Sequence, residues 1–403
     1  MVRQADQAVA VVVIDSMRRH GSRLAICVVF LLVQGHHGRA SVLPDERADA
    51  MYHSFEGGGV TVTGPSILVR KNTSTNTSVF YNYYVDHISS ASLDVMIGGS
   101  PYTEKRTEQS AGIDYLHGRT KTSFSYTNSD ENDYHSNTYN FNMSQDFFGD
   151  LTTLSMGYTL GNDKVGKRGL SYDLSSIDRQ NYRLGLSQIF TKNFIMGVNW
   201  ETITDDASIL NDSGVTLNNP YRSYSYCSTP ACTARQYAPE IYPNTHTSNA
   251  LTISGNYFLA YRAALRGEVK FYQDSWGIDA TTYQAGYTQP FGRWLMDFRA
   301  RWYSQGNADF YSDNFAYQNE YTFMARDKQL ATYKDMSVGV SASFEFARSG
   351  WHWIDKGTMN FSWDHVEYNY SDYRNALDTG TPDQQPLYSF GADIYQVFVS
   401  FWY

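Results

Sequence analysis

Arg293-Trp294-Leu295-Met296-Asp297-Phe298-Arg299-Ala300-Arg301-Trp302-Tyr303 is the stretch that decides the fold. Side chains alternate with period two along a strand. Trp294, Met296, Phe298, Ala300 and Trp302 therefore share one face, while Arg293, Asp297, Arg299 and Arg301 share the other. The apolar face carries aromatics at its ends, as lipid-facing strands do, and the other face carries full charges suited to a wet lumen. The pattern recurs at 261–272, where Leu265, Gly267, Val269 and Phe271 oppose Arg262, Arg266, Glu268 and Lys270. At 335–346, Met336, Val338, Val340, Ala342, Phe344 and Phe346 oppose Asp335, Ser337, Gly339, Ser341, Ser343 and Glu345. Between 194 and 203, Phe194, Met196, Val198 and Trp200 oppose Gly197, Asn199 and Glu201.

These segments run over about 10–14 residues, the length a tilted strand needs to cross hydrocarbon. Strands of soluble sandwiches are shorter. No stretch after Ala40 is apolar for long enough to span as a helix. The reading is an all-β, transmembrane antiparallel β-barrel.

Composition agrees. Mean hydropathy is polar, -0.47, yet the 403 residues include 33 Tyr, 22 Phe and 8 Trp. Tyr and Trp suit surfaces with one oily and one wet side. A net charge of -9 argues against a nucleic-acid partner, which requires a basic footprint.

The N-terminus reads as a targeting segment. Arg18, Arg19 and Arg23 precede an apolar run over 24–33, and Gly38-Arg39-Ala40 closes it with small residues. This is the pattern of a cleavable signal peptide. The expectation is a true start at Met17, cleavage after Ala40 and export to the bacterial outer membrane. Cys27 lies inside the apolar run, which excludes a lipid-modified cysteine there. Cys227 and Cys232 remain; their spacing suits a small disulfide loop in an oxidising compartment, with two free thiols as the alternative.

Connections alternate between short turns (116–119, 146–150, 190–193, 259–261, 290–293) and long links (161–177, 205–245, 306–330, 371–387). Bacterial barrels have short periplasmic turns and long extracellular loops, so every long link falls outside. The barrel is expected over 77–403. Segment 41–76 is harder: Val60 to Lys71 resembles a strand, but Gly64-Pro65 interrupts it, and proline cannot donate a ladder hydrogen bond. Either it forms a plug, leaving about 14 strands, or it supplies the first strands of 16; the reading leans to 14. At the other end Tyr395, Val397, Val399, Phe401 and Tyr403 alternate to the last residue. With Gln396, the terminal aromatics Phe401 and Tyr403 resemble the signal read by the barrel-assembly machinery, although Phe398 stands where a glycine is usual.

Several stretches together resemble the bacterial family catalogued as domain of unknown function 3570 (DUF3570). They include Arg47-Ala48-Asp49, Tyr52-His53, Gly64-Pro65-Ser66, Tyr83-Tyr84-Val85-Asp86, Pro101-Tyr102-Thr103-Glu104, Tyr242-Pro243-Asn244-Thr245 and Ala308-Asp309-Phe310-Tyr311-Ser312-Asp313. The resemblance covers nearly the whole chain after Ala40. It implies an outer-membrane barrel and supplies no activity or catalytic residues. It hints at periplasmic lipoproteins and redox or flavin-attaching proteins as partners.

For a site, the charged rows stand out. Arg262, Arg266, Lys270, Arg293, Arg299 and Arg301 should cluster on one lumen wall, with Glu268, Asp279 and Asp297 among them. Asp86, Asp114, Glu201, Asp335, Glu345 and Asp364 are expected elsewhere on the lumen. Opposite charges on opposite walls would set up a transverse field; an internal salt-bridge network is the equal alternative. His365 shares a face with Met359, Phe361 and Trp363 and is expected at the lipid interface. The acidic run 128–133 reads as a solvated outer turn, with divalent-cation or lipopolysaccharide bridging as the lesser alternative. No nucleophile motif, phosphate loop or metal-spaced His/Cys set is present, so the chain reads as no enzyme, with no cofactor and no metal. The expected role is a porin-like channel or transporter for small solutes; the alternatives are a non-conducting scaffold barrel and, third, an outer-membrane enzyme. Membrane lipid and lipopolysaccharide are the expected surroundings.

Overall fold

The computed structural model describes residues 14–16, 26–28, 42–98, 102–132, 134–165, 175–209, 222–351 and 354–403. The expected start at Met17 and cleavage after Ala40 lie outside the described residues. Ile14–Ser16 and Ile26–Val28 form a separate small ladder. The remaining chain is built almost entirely from long antiparallel strands.

In chain order these are β1 (Arg47–Gly57), β2 (Val60–Ser74), β3 (Thr77–Ser90), β4 (Tyr102–His117), β5 (Thr120–Asp130), β6 (Tyr134–Phe147), β7 (Thr152–Val165), β8 (Ser175–Thr191) and β9 (Phe194–Ile209). A hairpin of β10 (Ser223–Cys227) and β11 (Arg235–Pro239) follows. Then come β12 (Thr245–Phe258), β13 (Ala264–Asp274), β14 (Asp279–Phe291), β15 (Trp294–Gln305), β16 (Tyr333–Trp351), β17 (Ile354–Arg374) and β18 (Leu387–Trp402). Every strand except β10 and β11 joins one closed barrel of sixteen, with β18 pairing β1.

The lean to 14 strands is therefore corrected to 16: residues 47–74 form barrel strands and not a plug. Gly64-Pro65 does not interrupt β2. Pro65 stays in register with Tyr52 on β1, and only the ladder to β3 lapses, between Thr63 and Ser66. A Cβ on Gly64 would stand 1.7 Å from the Val85 carbonyl oxygen. Glycine is needed here because the two backbones approach too closely for any side chain.

The alternation read from sequence holds in the strands. Phe298, Trp302, Phe271, Met336 and Trp200 project from the outer wall and are 40–57% exposed, which is how a lipid-facing surface looks in the absence of lipid. No helix among the described residues is long and apolar enough to cross a membrane; the strands provide the apolar band. The molecule is a closed β-barrel of the outer-membrane type.

One rim carries short turns, such as 75–76, 118–119, 192–193 and 292–293, and the other carries the described links 91–98, 222–244, 306–332 and 375–386. The links do not simply float in water. Leu93, from the short helix α1 (Leu93–Gly98), joins Trp276, Ala308, Tyr311, Ala325, Leu330 and Tyr373 in one buried apolar cluster. The same cluster takes in Tyr134 of β6, Val165 of β7, Ile177 of β8, Ala207 of β9 and Tyr370 of β17. Around the barrel, β6 and β17 are seven strands apart one way and nine the other. A continuous apolar core thus ties the outer links to strands on opposite walls at the long-loop end. A second cluster, Phe55, Val60, Val62, Ile88, Val366, Ala392 and Ile394, lines the wall beneath and shares Tyr368 and Phe390 with the first. Each large side chain buried this way contributes about 1.5–3 kcal/mol.

Candidate functional site: a braced lumen beneath a loop-built plug

Inside the barrel several arginines share one arrangement: the long side chain lies flat across a glycine to reach a partner two strands away. Arg299 on β15 is level with Gly339 on β16, which is level with Asp364 on β17. The Arg299 Nε donates to Asp364 at 2.6 Å, and its two other nitrogens reach Ser341 and Ser362, each at 2.6 Å. A Cβ on Gly339 would fall 2.0 Å from the Asp364 carboxylate. Arg266 on β13 likewise crosses Gly286 to bond Asp297 on β15 at 2.7 Å. On the far wall Arg183 crosses Gly157 to Asn142 at 3.3 Å and bonds Thr159 at 3.1 Å. At the Gly64 gap, His53 of β1 bonds Asp86 of β3 at 2.8 Å, stacked on Tyr84. Glycine inside a strand costs about 0.5–1 kcal/mol; charge-assisted bonds of about 1.5–3 kcal/mol offset that.

Of the residues singled out from sequence, Arg266, Glu268, Lys270, Asp297, Arg299 and Arg301 share the lumen face of β13 and β15. Three are misplaced. Arg262 sits in the turn 259–263 with a φ of 69°, and Arg293 sits in the turn after Gly292; both are exposed at the short-turn rim. Asp279 opens β14 on the same face as the outward Tyr283, so it leaves the lumen altogether. The acids expected away from the arginines are also corrected. Asp364 pairs with Arg299, and Asp335 with Arg301 at 2.8 Å. The reason is topological: β16 and β17 follow β15 as neighbours in a meander, so their acids land beside the basic row and not opposite it. The arrangement is a network of ion pairs on one wall. His365 does face outward, between Asp393 at 3.0 Å and Glu367 at 2.9 Å.

Sequence reading missed the plug. Its centre is Asp313, in the link 306–332. The Asp313 carboxylate accepts from Arg235 at 2.5 Å, from Arg326 at 2.9 Å and from the Arg374 backbone N–H at 3.0 Å. Its carbonyl oxygen accepts from Ser225 at 2.8 Å and from the Arg326 Nε at 2.9 Å. Arg374 in turn donates to the Gln385 carbonyl at 2.6 Å. One aspartate therefore ties together the hairpin β10–β11, the link 306–332 and the link after β17. Cys227 and Cys232 form a disulfide at the hairpin tip, and Asn314 donates toward its sulfurs at 2.9 and 3.3 Å. Below, Arg222 pairs with Asp327, and Glu240 accepts from the Arg326 N–H at 2.6 Å and from Tyr242 at 3.0 Å. Burial, with Asp327 nearby, pushes the Glu240 carboxyl up to about 8, against the pull of Arg222. The clue in the sequence is aromatic density: Phe310, Tyr311, Phe315, Tyr317, Tyr321 and Phe323 are too many for a solvated loop.

At the C-terminus, Gln396 is buried opposite His53, the Phe401 ring packs 6.0 Å from Phe346, and the Tyr403 hydroxyl donates to the Arg70 carbonyl at 3.0 Å. Among the described residues no group of three His, Cys, Asp or Glu side chains is placed to hold a metal ion.

A family model described as "Protein of unknown function (DUF3570)" matches residues 47–183 and 175–389. No curated protein matches the chain. Among solved structures, the chain is similar to a bacterial polysaccharide outer membrane secretin, at 9% identity and a TM-score of 0.47, covering 90% of this chain and 99% of that one. It is also similar to the CymD monoaromatic hydrocarbon channel, at 8% identity and a TM-score of 0.41, covering 90% and 89%. A Pseudomonas aeruginosa FadL homologue matches at 7% identity and a TM-score of 0.40, covering 89% and 90%.

Proposed function

The chain belongs to the DUF3570 family of proteins of unknown function, and we propose that it is a gated outer-membrane passage for small solutes, closed at its long-loop end in the resting state. The observation that carries this reading is the pairing of a wide wet lumen with a dry mouth. Barrels of sixteen strands are too wide for wall side chains to fill. The side chains of Arg266 and Arg301 are 29% and 33% exposed, so water reaches the wall below the plug. Above it, the apolar cluster packs the outer links against strands on opposite walls, which supports a closed mouth. Because Arg266, Arg299 and Arg301 are paired with Asp297, Asp364 and Asp335, that wall would discriminate by size and hydrogen bonding more than by charge.

The test is solute uptake by proteoliposomes. Ser312 N–H bonds the Ala325 carbonyl at 3.1 Å, so residues 313–324 can be replaced by a short Gly-Ser linker without straining the ends. The expected outcome is slow swelling with the intact protein and fast, size-limited swelling with the linker variant. Fast swelling with the intact protein would refute the gate. The closed mouth equally favours one other reading, a non-conducting barrel that anchors periplasmic or surface partners; a folded linker variant that passes no solute would establish it. In either reading the barrel performs no covalent chemistry, its outer wall meets lipid and lipopolysaccharide, and its last strand is offered to the barrel-assembly machinery.

A further inference from the structure

The outer surface of the plug carries a cavity of about 690 Å³ between the β13–β14 turn and the link 306–332, a size typical of small-molecule sites. Two edge-to-face aromatic pairs form its walls: Phe310 with Phe323, 6.4 Å apart, and Phe315 with Tyr321, 6.3 Å apart. Phe323 and Tyr321 remain 39% and 62% exposed, large apolar faces that the plug itself leaves uncovered. Trp276 closes the floor, packed on Phe310 at 5.3 Å.

The polar groups at this cavity are acceptors in the main. Asp309 lies over Gly277, where a Cβ would stand 2.4 Å from its carboxylate. Glu320 shapes the rim by accepting the Ala316 N–H at 2.8 Å. Among the described residues no Lys, Arg or His lines the cavity, so none of them would neutralise an anion there.

From this combination we infer that the cavity is a binding site for a sugar unit, neutral or bearing an amine, presented from outside the cell. A pyranose offers a flat C–H face to the aromatic walls and hydroxyl donors to the carboxylates of Asp309 and Glu320. A carboxylated sugar would set its charge against two carboxylates. The inference concerns the cavity alone and holds whether or not the plug moves.

Titration calorimetry on the full-length protein in phosphatidylglycerol nanodiscs, which carry neither sugar nor choline headgroups, tests it. The probes are cellobiose, glucosamine, glucuronate and choline. Saturable binding of cellobiose or glucosamine is expected, with glucuronate at least about tenfold weaker, as one lost charge-assisted contact would give. Tyr321→Ala with Phe323→Ala should weaken the binding sugar by a further tenfold or more. Tyr321→Ala alone, at a side chain already mostly in water, provides the same test should the double variant not fold. No saturable sugar binding would overturn the inference. So would glucuronate binding as well as the other sugars, choline binding more tightly than any of them, or folded variants binding like the parent.

Discussion

Replacing Asp313 by Asn removes one charge from the point where three outer links meet. Arg235 and Arg326, whose side chains are 4% and 3% exposed, both direct a guanidinium nitrogen at this carboxylate. Removing one partner of a buried pair costs about 3–5 kcal/mol, because the remaining charge stays desolvated. Here the bonds to the Asp313 carbonyl persist, and an Asn oxygen in the Oδ1 place still accepts from Arg326 and Arg374, losing the bond from Arg235, so the lower end, about 3 kcal/mol, applies. At roughly 1.4 kcal/mol per tenfold, the plug should open on the order of 100 times more often. Hydrogen exchange by mass spectrometry reads this directly: amides over 309–325 should lose about two decades of protection, while those of β4 and β5 should not change, since local openings are separable from global ones. Protection over 309–325 within about threefold of the parent, in a folded heat-modifiable barrel, would refute the argument that Asp313 holds the plug.

Other consequences follow from the same geometry. Gly339→Ala places a methyl against Asp364 and Arg299 and should break that brace, lowering the urea midpoint of the barrel by an amount corresponding to about 2–3 kcal/mol. Cys227→Ser with Cys232→Ser removes a very short closed loop and should cost the plug about 2 kcal/mol, measured by the same exchange experiment. Because the Glu240 carboxyl is raised from its ordinary value of 4.5 to about 8, the folded plug favours the protonated form. Its contribution is complete below about pH 4.5 and is lost as pH rises through about 8. Protection of the 308–325 amides, corrected for intrinsic exchange, should therefore fall across that window in the parent and lose this component in Glu240→Gln.

How far the sequence was legible depends on the kind of order involved. Strand faces were readable because period-two patterning is local: Phe298 and Trp302 point outward and Asp297, Arg299 and Arg301 inward, as the alternation of 293–303 requires. The errors begin where local parity stops applying. Arg262 and Arg293 obey the parity of their strands but fall in turns, where the backbone no longer alternates. Gly64-Pro65 looks like a break in a lone strand, yet it is tolerated because the β1 ladder stays in register beside it and His53 and Asp86 use the gap. The partners of the arginines were within reach: consecutive hairpins put β16 and β17 beside β15, so Asp335 and Asp364 had to be near neighbours. The plug was not readable by period at all. It is assembled from Leu93, Trp276, Tyr311, Leu330 and Tyr373 across long separations, and only the excess of aromatic residues in a supposed loop betrays it. The stretches that carry the family resemblance lie both in barrel strands, at His53 and Asp86, and in the outer link that holds Asp313.

The central claim is that the resting barrel is closed by its own outer links, and single-channel recording in a planar bilayer tests it most directly. The intact protein, inserted and verified as folded, should give a flat baseline, and the variant with 313–324 replaced by a linker should give stepwise open levels. Sustained open conductance from the intact protein would contradict the account.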